Sequence, residues 1–401
     1  MSGLRRVVPA RVRKRLHDVV PWRPWPSEVR IDRLLLGLQN GTPAAEFAAR
    51  FDDPLWPSTR VADGPHVGLL RLSEGRELSD DDILASDYAV LGRRCIELRG
   101  FFFWATDDAG IAEVARNFIA GYRDGPAGRP PRAHQSAAHS PIRVAPIADS
   151  DCFQALDGHH RLALAVVRGE AWATVRQKWI PVRTPLQRLV LAASDGHELA
   201  QPVDAPELQK SWRARPGCTQ RFAQMSGFLA AEGLLAARTT YLDLPSSYGW
   251  FVAEMGSAGF IAEGVDGDRA LHAVGRAAYG LGPTQLHAGE PLDFLRASTR
   301  SWDVVSSFGL LPRTWQASGR TGVRQLLAGL DRATARVLFL DSEPPGYGGE
   351  TSAPVLTPAE LIEVVVQETS FDRAVDLGTG VEPNVTEATT GAATLLAFTR
   401  A

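Results

Sequence analysis

Short apolar runs alternate with amphipathic runs along the second half of the chain, and each apolar run ends near a turn or an acidic residue. These runs predict strands, which are TYLDL (240–244), FIAEGVD (260–266), TQLHAG (284–289), WDVVSSFG (302–309), RVLFLD (336–341), RAVDLG (373–378) and TLLAFTR (394–400). Helical segments separate the first five strands, which indicates an α/β fold with a doubly wound, Rossmann-like sheet. Thr357, Pro358 and Glu360 form a capping-box signature that predicts the start of the last helix.

The same kind of pattern predicts a smaller mixed α/β unit earlier in the chain. Its strands are PIRVAPI (141–147), CFQAL (152–156) and AWATVRQ (171–177), and its helix is HRLALAVVR (160–168), ended by Gly169. Upstream of it, we predict a helix over Ile31–Leu38 and another over 109–125 that is capped by Asp107 or Asp108. Residues 183–236 are predicted to be mainly helical, with interruptions at prolines.

A Gly/Pro-rich stretch over 124–136 predicts a domain boundary or an exposed loop. The chain is therefore divided into five predicted parts. They are a basic N-terminal segment (1–30), a mainly helical region (31–125), the small α/β unit (126–182), a helical bridge (183–236) and the doubly wound domain (237–401).

Composition narrows the class of protein. The 401 residues are 44% hydrophobic and 22% charged, and the net charge of −3 argues against a protein that coats nucleic acid. The three cysteines form no CxxC pair, so we expect neither a zinc or other metal site nor a disulfide framework. No apolar run approaches the ~18 residues of a membrane-spanning helix, and a cytoplasmic location is expected.

The first residues are strongly basic. LRRVVPARVRKRLHDVV (4–20) carries its apolar residues Val12, Leu16 and Val19 on one helical face. The segment could lie on an anionic membrane or dock a protein partner, or it could be a solvated helix or a frayed terminus.

The stretch from 239 to 268 carries the most specific pattern. One predicted strand ends at Asp243, a turn leads to a helix that starts after Gly249, and the next strand ends at Asp266. In a doubly wound sheet, this places the turn at the carboxyl edge and Asp266 where a ribose would sit.

This stretch and the strand order after it resemble the class I S-adenosylmethionine-dependent methyltransferases over roughly residues 220–401. The resemblance implies that Asp243, Gly249 and Asp266 hold S-adenosylmethionine, and that Glu290 or Asp293 lies near the adenine. The family's turn usually reads Asp-x-Gly-x-Gly-x-Gly, but here Pro245 and Ser247 occupy the first two glycine positions. Glycine lets the backbone approach a ligand and proline removes a donor, so two alternatives stay open, a domain that binds the cofactor and a methyltransferase-like shell in which binding is weakened, altered or absent.

Methyl transfer depends mainly on alignment, and it requires a base only if the acceptor must lose a proton. His272, His287 and Asp341 are candidate bases, and a structural role for each is the alternative.

DGHHR (157–161) begins the helix of the small unit. Gly158, His159, His160 and Arg161 there could cradle a phosphate, while the plain alternative is that Asp157 caps the helix and the cations are solvated. The surrounding segment, about 130–180, resembles the ParB/sulfiredoxin fold, which implies phosphate binding at Gly158 and Arg161. In the DGHHR branch, the resemblance implies phosphoryl transfer with Asp157 and His160 as catalytic residues.

The cysteine of sulfiredoxins is not present at this motif, and no helix-turn-helix is evident over 183–236, so DNA partitioning is not expected. The leading expectation is a methyltransferase that uses S-adenosylmethionine on a small-molecule or carbohydrate-like acceptor, with ATP or ADP possible at DGHHR. The alternatives are a nucleotide-dependent kinase centred on DGHHR, and a binding protein whose methyltransferase-like domain is degenerate.

Overall fold

The structure is a computed structural model that describes residues 22–37, 39–124, 141–194, 196–214, 217–235, 238–342, 356–379 and 393–400. Most of the basic segment (1–30) and most of the predicted boundary at 124–136 lie outside these residues. The chain forms two compact units. The N-terminal unit runs to Arg188 and includes Asp204–Ser211, and the C-terminal unit comprises Leu189–Val203 and Trp212–Ala401.

The N-terminal unit contains a five-stranded sheet with the order β1-β5-β3-β4-β2. Its strands are β1 (Ser27–Arg30), β2 (Leu34–Leu35), β3 (Ile142–Pro146), β4 (Phe153–Asp157) and β5 (Trp172–Gln177). The strands predicted over 141–177 are confirmed. The sheet also contains β1 and β2, so it extends across the predicted division at residue 125.

The helix predicted over Ile31–Leu38 is wrong. A 3-10 turn occupies Ile31–Arg33, and Leu34 and Leu35 form β2, which pairs in parallel with Phe153 and Gln154 of β4. Leu34, Leu35 and Leu36 are all buried. Three consecutive buried side chains fit pairing inside a sheet rather than one face of a helix.

The described part of the N-terminal unit also contains helices, which pack against one face of this sheet. They are α1 (Ala44–Phe51), α2 (Pro65–Leu72), α3 (Asp80–Leu84), α4 (Asp87–Arg99), α5 (Asp108–Asp124) and α6 (His159–Val167), with short 3-10 turns at Trp56–Ser58, Val61–Asp63 and Pro206–Leu208. The predicted cap of α5 is confirmed, because the Asp107 carboxylate accepts the N–H of Gly110 at 2.8 Å. Leu162 of α6 packs against the sheet, and Val67, Tyr88 and Ile111 belong to a second core among the helices.

The C-terminal unit contains a seven-stranded sheet with the order β10-β9-β8-β11-β12-β14-β13. Its strands are β8 (Thr240–Asp243), β9 (Ile261–Asp266), β10 (Leu286–Ala288), β11 (Trp302–Ser307), β12 (Thr334–Ser342), β13 (Arg373–Thr379) and β14 (Thr394–Thr399). β8 to β12 pair in parallel, whereas β14 is antiparallel to both of its neighbours. The predicted strands and the doubly wound, Rossmann-like class of this unit are confirmed.

The helices of the C-terminal unit cover both faces of its sheet. They are α8 (Cys218–Ala231), α9 (Trp250–Ser257), α10 (Arg269–Tyr279), α11 (Pro291–Ala297), α12 (Leu310–Ala333) and α13 (Pro358–Glu368). The capping box of α13 is confirmed by reciprocal bonds between Thr357 and Glu360. Separate apolar cores lie on the two faces, one around Leu326 and Leu338 and the other around Met255 and Phe339.

The region 183–236 is less helical than predicted. It begins with α7 (Pro185–Ala192), and one boundary between the two units falls within this helix. Two short strands that pair in parallel, β6 (Glu198–Leu199) and β7 (Arg213–Ala214), come before α8. Among the described helices, none combines the length and apolarity that crossing a membrane requires.

Candidate functional site

The turn after β8 is tied to both strands that flank β8. Leu244 donates its N–H to Ser306 of β11 at 2.9 Å, and Ser246 donates its N–H to Val265 of β9 at 2.9 Å. The strand order reverses at this point, since β9 lies on one side of β8 and β11 on the other. Ligands of open α/β sheets bind outside the carboxyl ends of strands at such a switch point.

Ser247 adopts a left-handed backbone conformation, with a φ of 53°, and its N–H donates to an oxygen of Asp266 at 2.9 Å. This bond ties the turn to the end of β9. Pro245 offers no N–H, and its side chain forms part of the wall of the cleft described below.

Gly249 starts α9 with a φ of 86°. A Cβ at this position would lie 2.7 Å from Leu286 Cδ2 and 2.8 Å from Leu281 Cδ1. Only glycine fits here, because the φ is positive and a side chain would clash with the two leucines. Gly249 therefore allows the start of α9 to pack closely against Leu281 and Leu286. It does not line the cleft that holds the predicted carboxylates.

Asp266 ends β9, and only 8% of the residue is exposed. Its Oδ2 accepts the N–H of Ser247 at 2.9 Å, and its Oδ1 accepts the N–H of Asp268 at 3.0 Å. These two bonds fix the carboxylate between the turn and the start of α10. Each oxygen has a further lone pair with which to accept a hydrogen bond from a ligand.

A cleft of about 730 Å³ opens beside Asp266 at this edge of the sheet. The carboxylates that line it are Asp266, Glu290 and Asp293, which were named from the sequence, together with Asp268. Gly267 allows Glu290 to approach, because a Cβ there would lie 2.4 Å from Glu290 Oε1. The structure thus brings Asp266, Glu290 and Asp293 together at one cleft.

Residues of α12 also line the cleft, and they were not predicted from the sequence. They are Leu310, Arg313, Thr314, Ala317 and Ser318. Arg313 donates from Nε to the carbonyl of Gly309 at 2.9 Å, and its side chain is exposed at the cleft. A usable signal was present in the sequence, since the helix that follows WDVVSSFG must begin at the carboxyl edge.

Asp243 lies outside this cleft, although the resemblance places it with the cofactor. It is buried, and its Oδ1 accepts a hydrogen bond of 2.6 Å from Ser306 Oγ. Its Oδ2 is buried without a hydrogen-bond partner. The pKa of this carboxyl is raised to about 7; burial is the main cause, the Ser306 hydrogen bond opposes it, and the nearby Asp266 adds to the rise.

Two of the three candidate bases, His287 and Asp341, are held by ion pairs and hydrogen bonds to other residues of the unit. His287 is hydrogen-bonded to Glu263 at 2.9 Å, and the same carboxylate pairs with Arg300 at 2.6 Å. Asp341 pairs with Arg221 at 3.1 Å and accepts the N–H of Gly309 at the start of α12 at 3.0 Å. These contacts favour the structural alternative for both residues.

His272 is mostly buried in α10, and its Nε2 has no hydrogen-bond partner. Burial lowers the pKa of this imidazole, and the nearby carboxylate of Asp266 acts in the opposite direction. Burial thus favours the neutral form of the ring.

In the N-terminal unit, Gly158 is the cap residue of α6 and no side chain caps the helix, so the alternative in which Asp157 caps it is wrong. Asp157 is exposed at the end of β4. A Cβ on Gly158 would lie 3.0 Å from Arg161 Nη2, so glycine leaves room for the guanidinium beside the helix start. Burial lowers the pKa of Arg161, while Asp157 acts to raise it.

The two histidines of DGHHR lie within an aromatic cluster. His159 Nε2 is 2.8 Å from the carbonyl of Leu36, and His160 Nε2 is 2.8 Å from the hydroxyl of Tyr88. The His160 ring stacks on Phe118 with centroids 4.0 Å apart. Both Nε2 atoms are therefore engaged within the protein, while Gly158, Arg161 and Asp157 lie at the start of α6.

No group of three or more His, Cys, Asp or Glu side chains is arranged to hold a metal ion within the part of the chain that the structure describes.

Comparisons with known proteins give likenesses only at the level of structure. No family model and no curated protein matches the chain. The bifunctional kinase-methyltransferase WbdD is similar over 54% of this chain and 46% of its own, with 19% identity and a TM-score of 0.41. The chain thus spans less than half the length of the WbdD chains it matches.

Two further solved structures cover a similar share of the chain. Magnesium protoporphyrin IX methyltransferase from Synechocystis PCC 6803, with bound SAM, is 15% identical over 45% of this chain and 79% of its own, with a TM-score of 0.33. A TehB-like SAM-dependent methyltransferase from Corynebacterium glutamicum is 19% identical over 46% of this chain and 98% of its own, with a TM-score of 0.30. The Rossmann-like class of the C-terminal unit rests on its strand order, independently of these likenesses.

Proposed function

We propose that the C-terminal unit binds S-adenosylmethionine in the cleft beside Asp266 and transfers its methyl group to a small-molecule or carbohydrate-like acceptor. The observation that supports this proposal is the convergence of Asp266, Glu290 and Asp293 on one cleft at the switch point of the sheet. A volume of about 730 Å³ lies in the range of small-molecule sites.

The charge of the cleft favours this ligand over a dinucleotide or a nucleoside triphosphate. Four carboxylates and one guanidinium line it, so phosphate groups would be repelled. A ligand with ribose hydroxyls and a positively charged sulfonium fits the same set. In this proposal Asp266 accepts the ribose hydroxyls, Glu290 and Asp293 face the adenine side, and Arg313 pairs with a carboxylate of the cofactor or the acceptor.

When bound, S-adenosylmethionine supplies an electrophilic methyl group, and the protein's part is to position it and to exclude water. Asp266 is suited to positioning because two backbone N–H groups already fix its orientation. Neither His287 nor Asp341 is needed as a base in this scheme, since proximity and alignment carry most of the reaction.

The test is calorimetric titration of the full chain with S-adenosylmethionine and S-adenosylhomocysteine. We expect saturable binding that Asp266→Ala weakens by roughly 100-fold, because a ligand that loses a pair of charge-assisted bonds loses about 3 kcal/mol. Glu363→Ala, which changes an exposed acid of α13 outside the cleft, serves as the control and should bind like the wild type. Absence of binding, or binding indifferent to Asp266→Ala, would leave a degenerate methyltransferase-like domain instead.

A second proposed activity is binding of ATP, ADP or another phosphorylated ligand by the N-terminal unit. It is supported by the uncapped start of α6 at Gly158 and by the partly buried Arg161 beside it. Titration with ATP and ADP tests it, and we expect Arg161→Ala to abolish binding while Arg188→Ala leaves it unchanged. Phosphoryl transfer would further require Asp157, and loss of ATP turnover in Asp157→Asn with retained nucleotide binding would support that role.

A further inference from the structure

The outer face of the N-terminal sheet carries a cluster of tryptophans and cations. Along β5 the exposed positions alternate, so that Trp172 and Arg176 share one face. Arg143 of β3 lies beside Arg176 in the parallel register, and Trp22 pairs with Lys178 across a β-bridge. We call this area the tryptophan–cation surface, and its members are Trp22, Arg23, Trp25, Arg143, Trp172, Arg176, Lys178, Trp179 and Ile180.

The cations of this surface are held against aromatic rings. Arg143, Arg176 and Lys178 lie 5.7, 5.8 and 5.4 Å from the ring centroid of Trp22. The guanidinium of Arg23 lies 5.0 Å from the ring centroid of Trp179. Three cations around one indole repel one another, and the ring quadrupole offsets only part of that repulsion. Among the described strand residues, the acids in register with this face are Glu28 and Asp157, both exposed, against the four cations Arg23, Arg143, Arg176 and Lys178.

Large apolar side chains of the chain segments that carry these cations remain in solvent. Trp25 is 78% exposed, Ile180 57%, Trp172 53% and Trp179 51%. An exposed apolar patch marks an interaction site. Where cations lie among the apolar groups, the matching partner has an anionic outer layer with an apolar layer beneath it. The interface of a phospholipid bilayer has this layering, and Trp, Arg and Lys are the residues that favour it.

We propose that the tryptophan–cation surface binds the surface of an anionic phospholipid membrane. The sequence directly before Trp22 has the same sign of charge, since Arg5, Arg6, Arg11, Arg13, Lys14 and Arg15 precede it and the only acid among residues 4–20 is Asp18. The charge of this basic segment therefore does not complement that of the tryptophan–cation surface. Both would instead be attracted by the same anionic layer.

Nucleic acid fits the surface less well. Base stacking uses aromatic faces, and the rings of Trp22 and Trp179 each already have a cation over one face. The exposed aliphatic side chain of Ile180 adds area that a bilayer interface takes up and that a base does not stack on. A soluble polyanion is accordingly an outcome of the test and not part of the proposal.

The experiment is sedimentation of the full chain with vesicles of phosphatidylcholine alone and with about a third phosphatidylglycerol. We expect binding only to the anionic vesicles. Arg176→Glu/Lys178→Glu should weaken it at least tenfold, since each cation near an anionic surface contributes about fivefold. Trp25→Ala/Ile180→Ala should weaken it by roughly tenfold through lost apolar burial.

Matched variants control for charge and for apolar area. Arg71→Glu/Lys210→Glu reverses two exposed cations elsewhere in the N-terminal unit, and Leu72→Ala/Val90→Ala removes two other exposed apolar side chains. Both should bind vesicles like the wild type. All variants alter exposed or half-exposed side chains, and their thermal unfolding is compared with that of the wild type so that a folding defect is recognised.

Three results would overturn the proposal. One is failure to bind anionic vesicles. Another is binding that is lost only when the six cations of residues 5–15 are changed to glutamine, because the tryptophan–cation surface would then be dispensable. The third is equal binding of single-stranded DNA or heparin that does not depend on Trp25 and Ile180, because the surface would then recognise charge alone.

Discussion

At the scale of single residues, Asp243 has a proton equilibrium set by burial. Burial raises the pKa of this carboxyl from 3.8 to about 7. The folded protein therefore keeps the proton in a range where the unfolded chain has released it. Folding stability from this group is present below about pH 4, is lost as the pH rises toward 7, and changes little above that. Each unit of raised pKa corresponds to at most about 1.4 kcal/mol.

Asp243→Asn should remove this dependence, because an amide has no proton to lose. We expect the stability of the variant relative to the wild type to increase between pH 5 and pH 8 by about 1 to 3 kcal/mol. Hydrogen exchange of peptides from β8 and β11 measures it locally, and Glu363→Gln is the control for an exposed carboxyl. A wild-type-to-variant difference that is the same at both pH values would mean that Asp243 is ionised throughout.

Residue types and spacing in the sequence indicated which acids reach the edge of the sheet, but not which way each one faces. Asp266, Glu290 and Asp293 line the cleft, whereas Asp243 is buried and accepts a hydrogen bond from Ser306. The Asp243 carboxylate accepts its hydrogen bond from Ser306, which lies 63 positions later in the chain. The two residues are neighbours only because β11 pairs with β8, and the local sequence does not reveal that pairing. Arg313 was missed for a related reason, since its contribution depends on the rotation of α12 against the sheet.

At the scale of elements, the strands of the C-terminal unit were predictable because each is a buried apolar run bounded by turn residues. β1 and β2 were not, because their partners lie more than a hundred residues later in the chain. Ile31, Leu34 and Leu35 match the spacing of a helical face, and pairing with β4 overrides that local pattern. The pair β6 and β7 was missed because strands of two residues carry no periodicity.

The start of α9 depends on Gly249, and this dependence can be tested with a glycine of the same helix. Gly249→Ala should destabilise the C-terminal unit by about 2 to 4 kcal/mol, because a Cβ would clash with Leu286 and Leu281 at a positive φ. Gly256→Ala should stabilise it by about 0.5 to 1 kcal/mol, because that position is helical and open. Chemical denaturation measures both, and equal effects of the two substitutions would contradict the packing role of Gly249.

At the scale of the whole molecule, each unit has hydrophobic cores of its own. Leu70 lies in a core built only from residues of the N-terminal unit, and Leu330 lies in a core built only from residues of the C-terminal unit. Both side chains are fully buried. A unit with its own core has the means to fold by itself, so a loss of packing should stay where it is made.

Leu70→Ala and Leu330→Ala should each cost about 2 to 5 kcal/mol, the range found for leucine truncation in cores. We expect faster hydrogen exchange confined to peptides of the altered unit, and effects that add in the double variant because the sites share no core. Under the proposed function, S-adenosylmethionine should slow hydrogen exchange in the C-terminal unit of the Leu330→Ala variant. It should leave hydrogen exchange in the N-terminal unit of the Leu70→Ala variant unchanged. Exchange that accelerates across both units after either substitution would instead mean that the two cores unfold as one cooperative body, and that a ligand in one unit governs the stability of the other.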